Sequence, residues 1–139
     1  MSSEKLKLSN QFCFPVYALA KEMVHLYRPL LDDLDLTYPQ YLVMLTLWES
    51  PNLSVTQIGE KLSLDSGTLT PLLKRLEQKE LLTRNRLASD ERVVEIRLTA
   101  KGLQLENKAE KVPEKLLESL NVNLEELKTL KTIICKILN

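Results

Sequence analysis

The amino-acid sequence predicts a mainly α-helical chain with a small antiparallel β-wing, arranged as a winged helix-turn-helix. Two helical patterns, residues 54–62 and 65–78, are separated by only a tight turn, which is the outline of a helix-turn-helix. Two strand patterns follow at 81–86 and 92–98, and such a pair directly after the second helix forms a wing. Amphipathic segments flank this module on both sides, and we expect them to join two copies of the chain as a homodimer.

Length and composition suit one domain. The chain has 139 residues, of which 44% are hydrophobic and 27% are charged, enough for one compact core. Its formal net charge is zero, so no overall positive field indicates a nucleic-acid partner, and the placement of charge matters more. From residue 72 to 101, eight basic residues stand against five acidic ones, a local excess of three positive charges.

Neither a membrane nor a metal is expected as a partner. No apolar run approaches the length of a membrane span, and the polar first residues lack the core of a signal peptide, so we expect a cytoplasmic protein. Cys13 and Cys135 lie near opposite ends of the chain and should not form a standing disulfide in a reducing compartment. The single histidine, His25, and the absence of clustered Cys/His spacing predict no metal site and no cofactor.

Residues 1–36 are predicted to hold the first dimerisation helix. Apolar residues recur at helical spacing from Leu8 to about Leu34. A proline is tolerated only close to a helix start, so Pro15 predicts an irregular first turn. Pro29 predicts a kink or a break.

Residues 37–99 are predicted to form the winged module. Thr37 caps a helix with proline in its first turn, and this helix is apolar nearly all round as far as Trp48, so it should be buried. Tyr41 is expected in the core. Leu53 is expected to add a short third strand to the wing.

The segment from Asp65 to Gln78 has two contrasting faces. Asp65 can cap its first turn, and Pro71 predicts a local bend. Its inward face carries leucines at helical spacing, namely Leu69, Leu72, Leu73 and Leu76. The other face carries hydroxyl groups followed by cations, a mixture suited to base edges and phosphates, namely Ser66, Thr68, Thr70, Lys74 and Arg75.

The wing adds further candidates for contact with double-stranded DNA. These are Arg84, Arg86, Asp90 and Arg92, and the arginines among them suit phosphates or a minor groove. The residues between the two strands, 87–91, are expected to form a polar hairpin tip. Helical hairpins without any DNA role share the helix pattern, so the wing is what strengthens the prediction.

Residues 100–139 are predicted to form the second dimerisation segment. A helix starts at Thr99 and continues past Val112 and Pro113, and Asn123 caps a last helix that runs to about Leu138. Together the terminal helices hold more apolar surface than the small module can cover, which favours a homodimer. A dimer presents two recognition helices to a pseudo-palindromic operator with half-sites about 34–36 Å apart.

Cys13 is a candidate reactive thiol. Backbone N–H groups near a helix N-terminus favour a thiolate, and Tyr17 lies one turn later on the same face. Such a thiolate attacks peroxides and becomes sulfenic acid. The alternative is that Cys13, between Phe12 and Phe14, is a small buried hydrophobic residue.

Four segments together resemble the MarR family of dimeric winged-helix repressors, and specifically its organic-hydroperoxide-sensing (OhrR-type) branch. They are Asn10–Met23, Leu36–Glu49, Leu62–Gln78 and Ser89–Thr99. The resemblance extends over nearly the whole chain. It implies that Cys13 is the peroxide sensor and that Tyr27 and Tyr38 of the partner subunit hydrogen-bond to it, with Tyr17 nearby. Pro15 departs from the pattern, since an apolar helix former is usual there.

Helix geometry supports an arrangement across two subunits. Tyr27 lies fourteen residues beyond Cys13, which is about 21 Å along one straight helix, so the two side chains can meet only across a dimer. Without the cysteine, Tyr27 and Tyr38 would read as ordinary amphipathic interface residues. Members of this family are oxidised by one of two routes. In one, a single cysteine is capped by a low-molecular-weight thiol, and we prefer this route for the present chain. In the other, a disulfide forms between subunits, and Cys135 would then take part.

These observations predict a DNA-binding transcriptional regulator, a repressor and not an enzyme, that releases its operator when an organic hydroperoxide oxidises Cys13. Two alternatives stay open: a MarR-type regulator that answers a small aromatic ligand, and a global redox-responsive activator or repressor. A thiol peroxidase is disfavoured because the sequence has no Thr-x-x-Cys or Cys-x-x-Cys arrangement.

Overall fold

A computed structural model describes residues 3–139 of the chain. Two short 3₁₀ turns, Glu4–Leu6 and Leu8–Asn10, precede the first helix. The helices are α1 Cys13–Asp32, α2 Tyr38–Glu49, α3 Val55–Leu62, α4 Ser66–Gln78, α5 Ala100–Ala109, α6 Val112–Ser119 and α7 Leu124–Leu138. The strands are β1 Leu53–Ser54, β2 Leu82–Leu87 and β3 Asp90–Leu98, which form one antiparallel sheet in the order β1-β3-β2. The predicted fold class, a winged helix-turn-helix with a small β-wing, is confirmed.

Helix α1 begins at Cys13 and not at Leu8 as the periodicity predicted. Proline lacks an N–H and is best tolerated in the first turn of a helix, and Pro15 here is the third helical residue. The preceding segment is closed by its own side chains, since the Asn10 amide donates to the carbonyl of Glu4 at 2.7 Å. Of the two alternatives predicted at Pro29, a break is wrong because α1 continues to Asp32, and a kink stays a prediction.

Helix α2 forms the centre of the core. Thr37 and Gln40 make a capping box at its start, as the sequence predicted for Thr37. Val43, Met44 and Leu47 are fully buried. Tyr41 is also buried, which confirms its assignment to the core.

Helices α3 and α4 meet at a close turn that three residues define. Ser63 ends α3 in the left-handed conformation with φ 55°, and the Asp65 side chain caps α4 by accepting from the Thr68 N–H at 2.7 Å. A Cβ at Gly59 would lie 2.8 Å from the Leu64 carbonyl oxygen, so only glycine fits this approach. The predicted cap at Asp65 is confirmed.

The leucines on the inward face of α4, the recognition helix, anchor it to the core. Leu69, Leu73 and Leu76 are buried and Leu72 is half-buried. The helix continues through Pro71 without interruption, because this leucine face anchors the turns on both sides.

The wing differs from its predicted bounds by one or two residues. Strand β2 is Leu82–Leu87 and not residues 81–86, and β3 starts at Asp90. The tip therefore contains only residues 88–89 and not residues 87–91. A register irregularity after Arg86 brings Leu87 opposite Asp90, which lets the ladder extend towards the tip. The predicted third strand is confirmed, since Leu53 pairs with Ile96.

The C-terminal segment is split into three helices. The predicted cap at Asn123 is confirmed, since it accepts from the Glu126 N–H, and Thr99 caps α5 by accepting from the Gly102 N–H. Helix α6 packs against α1, whereas α7 has no buried residue. Between residues 3 and 139, no helix combines the length and hydrophobicity needed to cross a membrane.

Candidate nucleic-acid interface and thiol site

The first turns of α4 present polar groups to solvent. Ser66 and Thr68 are exposed and Thr70 is half-buried, because the leucines of this helix face the core. The hydrogen bonds that Thr68 makes to Asp65, from its side chain first and its backbone second, lower the pKa of the Asp65 carboxyl. This carboxylate therefore caps the helix in its charged form at neutral pH.

A cationic cleft separates α4 from the wing. Its volume is about 680 Å³, and it brings together five of the residues that the sequence marked for DNA contact, namely Thr70, Lys74, Arg84, Arg86 and Arg92. Ser66, Thr68 and Arg75 lie on α4 outside this cleft and are exposed. Within the cleft, the cations of α4 and of the wing thus lie together with the Thr70 hydroxyl, an arrangement that suits a phosphate backbone.

Arg84 connects the wing to the recognition helix. Its Nε lies 3.2 Å from Glu77 Oε1, and its backbone N–H donates to Glu77 Oε2 at 3.1 Å. Glu77 belongs to α4 and Arg84 to β2, so the pair holds the strand against the helix. With this partner and 28% side-chain exposure, Arg84 is placed to fix the spacing of the two elements.

Arg92 is held near the wing tip by a neighbouring carboxylate. Its Nε donates to Asp90 Oδ1 at 3.1 Å and one terminal nitrogen donates to Oδ2 at 3.3 Å. The same hydrogen bonds lower the pKa of Asp90. Since the Arg92 side chain is 91% exposed, this fork orients the guanidinium outward from the protein. Arg86 is fixed across the hairpin by donating to the Glu91 carbonyl at 2.8 Å.

Cys13 is the first residue of α1, and its thiol is free and exposed. The alternative of a cysteine buried within one chain is therefore wrong. Phe12 beside it is also exposed. Cys135 on α7 is free and exposed as well. Among residues 3–139, no three His, Cys, Asp or Glu side chains cluster as possible metal ligands.

The tyrosines that the sequence linked to Cys13 fall into two groups. The exposed Tyr17 ring lies 5.3 Å from the Lys21 ammonium. Tyr27 and Tyr38 lie together, with ring centroids 4.6 Å apart, and Tyr41 is 5.8 Å from Tyr27.

Burial raises the pKa of Tyr27 to about 12, with further contributions from Tyr38 and Tyr41, and burial also raises the pKa of Tyr38. Both phenols therefore remain protonated hydrogen-bond donors at neutral pH. In contrast, Cys13 is at the opposite end of α1, about 21 Å from Tyr27 at 1.5 Å per residue.

Two helix faces of the chain are apolar and uncovered. One includes Val16 and Leu19 of α1 together with Phe12, the N-cap residue before it, and the other includes Leu130, Ile133, Ile134, Ile137 and Leu138 of α7. Patches of exposed large apolar side chains mark surfaces that contact another macromolecule. Cys13 and Cys135 both belong to these helices.

One link was missed by sequence reasoning. Lys79 at the end of α4 donates to the Asp35 carbonyl and, at 3.2 Å, to Gln40 Oε1. Gln40 is a polar residue in an otherwise apolar helix and is only 3% exposed. A buried amide needs partners, and this requirement was the available signal that a distant donor exists.

Comparisons with known proteins agree on one family. The model of the MarR family matches residues 36–94. The organic hydroperoxide resistance transcriptional regulator of Bacillus subtilis is 50% identical over 97% of this chain and 92% of its own. SarZ of Staphylococcus epidermidis, an HTH-type transcriptional regulator, is 37% identical over 94% of this chain and 88% of its own. The structure of reduced AbfR bound to DNA, also 37% identical, covers 99% of this chain and 94% of its own with a TM-score of 0.82.

Proposed function

Because the chain belongs to the MarR family, we propose that it is a dimeric transcriptional repressor that senses organic hydroperoxides through Cys13 and then releases its operator DNA. The observation that carries this proposal is an exposed thiol at the first residue of α1, on an apolar helix face that the protomer leaves uncovered. The name of the Bacillus subtilis relative supports the class of oxidant.

The sensing step is attack of the Cys13 thiolate on the peroxide. A sulfur–oxygen bond forms to the terminal oxygen of the hydroperoxide, the oxygen–oxygen bond breaks, and the alcohol leaves after taking up a proton. Cys13 is thereby oxidised by two electrons to sulfenic acid and the peroxide is reduced. A low-molecular-weight thiol then condenses with the sulfenic acid, giving a mixed disulfide and water. This one-cysteine route leaves Cys135 without a redox role.

The uncovered apolar faces of α1 and α7 are the dimer contacts. Residues 1–36 and 100–139 supply them, and residues 37–99 form the DNA-binding module. In the dimer, antiparallel first helices bring Cys13 to Tyr27 and Tyr38 of the partner subunit, whose protonated phenols donate to the sulfur. Tyr17 lies one turn from the thiol and completes its surroundings.

The operator-binding surface is the cleft between α4 and the wing. Ser66, Thr68, Thr70 and Lys74 work in the major groove and Arg75 supports them at the phosphates. Arg86 and Arg92 hold phosphate or minor groove, while Asp90 orients Arg92 and Arg84 maintains the spacing of wing and helix. Because its partner is chromosomal DNA, the protein acts in the cytoplasm.

Release of DNA follows from a coupling free energy between the two sites. Capping of Cys13 demands space and new hydrogen bonds at the dimer interface, so Tyr27 and Tyr38 shift. The helices that carry them then alter the spacing of the two recognition helices. A dimer whose half-site spacing no longer matches the operator loses affinity.

A gel shift on the DNA directly upstream of the protein's own gene tests this proposal. Wild-type protein should bind and should release the duplex when cumene hydroperoxide is added. Cys13→Ser should bind equally well and stay bound, because the hydroxyl does not react with peroxide. Cys135→Ser is the matched control and should behave as wild type.

Two outcomes would contradict the proposal. Peroxide-dependent release by Cys13→Ser would remove the sensor role and would favour a regulator that answers a small aromatic ligand. If Cys135→Ser, like Cys13→Ser, stays bound to the duplex after peroxide is added, a disulfide between subunits would replace the one-cysteine route.

A further inference from the structure

Lys79 joins the end of the recognition helix to the corner between α1 and α2. It is the C-cap residue of α4, and its side chain is 30% exposed. Its ammonium group donates to the carbonyl oxygen of Asp35 and to Gln40 Oε1 at 3.2 Å, and it lies 3.7 Å from the Asp35 carboxylate. Two of the three N–H donors of this ammonium therefore have acceptors within hydrogen-bond distance, and the Asp35 carboxylate adds an ion pair.

The corner is shaped to receive this lysine. Asp35 adopts the left-handed conformation with φ 52°, which is uncommon for a residue other than glycine. Its N–H donates to the Asp32 carbonyl and closes the end of α1. The Asp35 carbonyl, to which Lys79 donates, therefore belongs to a turn of fixed shape and does not lie in a free loop.

Gln40 makes the same lysine part of the turn that carries Tyr38. Its amide oxygen accepts from the Thr37 N–H at 3.1 Å, which caps α2, and also from Lys79. Tyr38 lies between Thr37 and Gln40 in that first turn, and its ring is 4.6 Å from Tyr27. One buried oxygen thus bonds to both the cap of α2 and the end of α4.

We propose that Lys79 is a positioning residue that transmits the oxidation of Cys13 to the DNA-reading helix. This inference rests on the proposed function. When Tyr38 is displaced, the turn from Thr37 to Gln40 moves with it. The Lys79 ammonium is hydrogen-bonded to that turn at Gln40 Oε1 and to the Asp35 carbonyl before it. The end of α4 therefore moves when the turn moves.

Alternative routes between the two sites run through apolar packing, which tolerates small shifts of one helix against another. Leucine contacts have no directional requirement, whereas a hydrogen bond weakens steeply when its donor–acceptor angle changes. The Lys79 contacts are therefore the directional part of the connection between α2 and α4, and their removal should uncouple the sites more than it unfolds the protein.

Lys79→Met tests the proposal. Methionine keeps the apolar stem but removes the ammonium, and Gln40 Oε1 retains the Thr37 N–H as a partner. The measured quantity is the ratio of affinities, before and after cumene hydroperoxide, for the duplex upstream of the protein's own gene. We expect this ratio to fall roughly 2- to 30-fold below that of wild type, while mass spectrometry shows the same extent of Cys13 oxidation.

Lys101→Met is the matched control. Lys101 donates to the backbone carbonyl of Lys79 at 3.0 Å, so the same substitution there disturbs the same helix end but leaves the corner intact. Its affinity ratio should equal that of wild type. A wild-type ratio in Lys79→Met would overturn the proposal, and so would an equal fall in both variants.

Hydrogen exchange keeps the test decisive if Lys79→Met binds DNA too weakly for a ratio. In wild type, oxidation should change the protection of backbone amides in both α2 and α4. In Lys79→Met the change should be confined to α2, and a change in α4 as large as in wild type would refute the link. If the wild-type protein does not release DNA in response to the peroxide, the proposed function is rejected, and the role of Lys79 is rejected with it.

Discussion

At the scale of single residues, Gly102 lies where the backbone packs too closely for a larger side chain. A Cβ at this position would lie 2.1 Å from the carbonyl oxygen of Leu81, a backbone atom that cannot rotate away. Gly102→Ala should therefore destabilise the protein by about 1–3 kcal/mol, measured by urea unfolding. Gly67→Ala is the control, because its Cβ would meet only Asp65 Oδ1 at 3.7 Å. Equal stability of the two variants would contradict this account.

Tyr27 predicts how stability depends on alkaline pH. Its pKa is about 12 against 10.0 for the free side chain, so the unfolded chain ionises first. The contribution of Tyr27 to the free energy of unfolding is fully present below pH 10 and is lost as the pH rises towards 12. Tyr27→Phe should lessen this loss, measured by urea unfolding at a series of alkaline pH values.

Tyrosinate absorbance during an alkaline titration gives a second readout of the same residue. Tyr27→Phe should remove the component that titrates last. Tyr17→Phe is the control, since this ring is exposed to 64%, and its alkaline loss of stability should match wild type. A loss in Tyr27→Phe as steep as in wild type would show that another group is responsible.

The residues that the sequence identified correctly are those whose role is local. Asp65 and Asn123 are caps because each accepts from an N–H three residues later, a relation that the local sequence contains. The contacts of Lys79 join residues 39 and 44 positions apart. A polar Gln40 in a buried helix indicates that a donor is needed, but no local pattern names Lys79 as that donor, so only the folded chain could identify it.

At the scale of elements, Arg92 of the wing is an exposed arginine whose guanidinium is oriented by the Asp90 carboxylate. Arg92→Ala should weaken operator binding and reduce the slope of log affinity against log salt by about one, as the loss of one phosphate contact requires. Asp90→Asn should weaken binding less, because the guanidinium remains but is no longer oriented. A filter-binding titration over several salt concentrations measures both effects.

Thr83→Ala is a suitable control for the wing, because Thr83 is exposed on β2 and its side chain accepts only from Asn85. Its salt slope should equal that of wild type. A stronger loss of affinity in Asp90→Asn than in Arg92→Ala would mean that the carboxylate itself contacts the DNA.

Element order was predictable, and element bounds were less so. Hydrophobic periodicity extended α1 back to Leu8 because the apolar residues before Cys13 continue the same spacing. Pro15 favours a helix start close to it, since proline is best tolerated in a first turn. Pro29 had the opposite outcome, because the buried Leu31 two residues after it holds the last turn of α1 against the core.

At the scale of the whole molecule, the uncovered face of α7 predicts that the protein depends on its partner. Ile134→Glu places a charge on this apolar face and should convert the dimer into monomers, measured by light scattering after size-exclusion chromatography. Operator binding should fall with it. Thr132→Glu is the matched control, since it adds the same charge about 200° around the helix. A dimer that persists in Ile134→Glu would reject α7 as the contact.

The charge distribution described above also limits what the protein does when it is away from its operator. The chain is neutral overall, and Arg84, Arg92 and Arg97 each have a carboxylate as a neighbour. Its attraction to arbitrary duplex should therefore be weak, although roughly 10⁶–10⁹ decoy sites compete on a genome. With little attraction to unrelated sequence, a larger share of the molecules should stay available for the operator, and its recognition should depend on specific contacts more than on net charge.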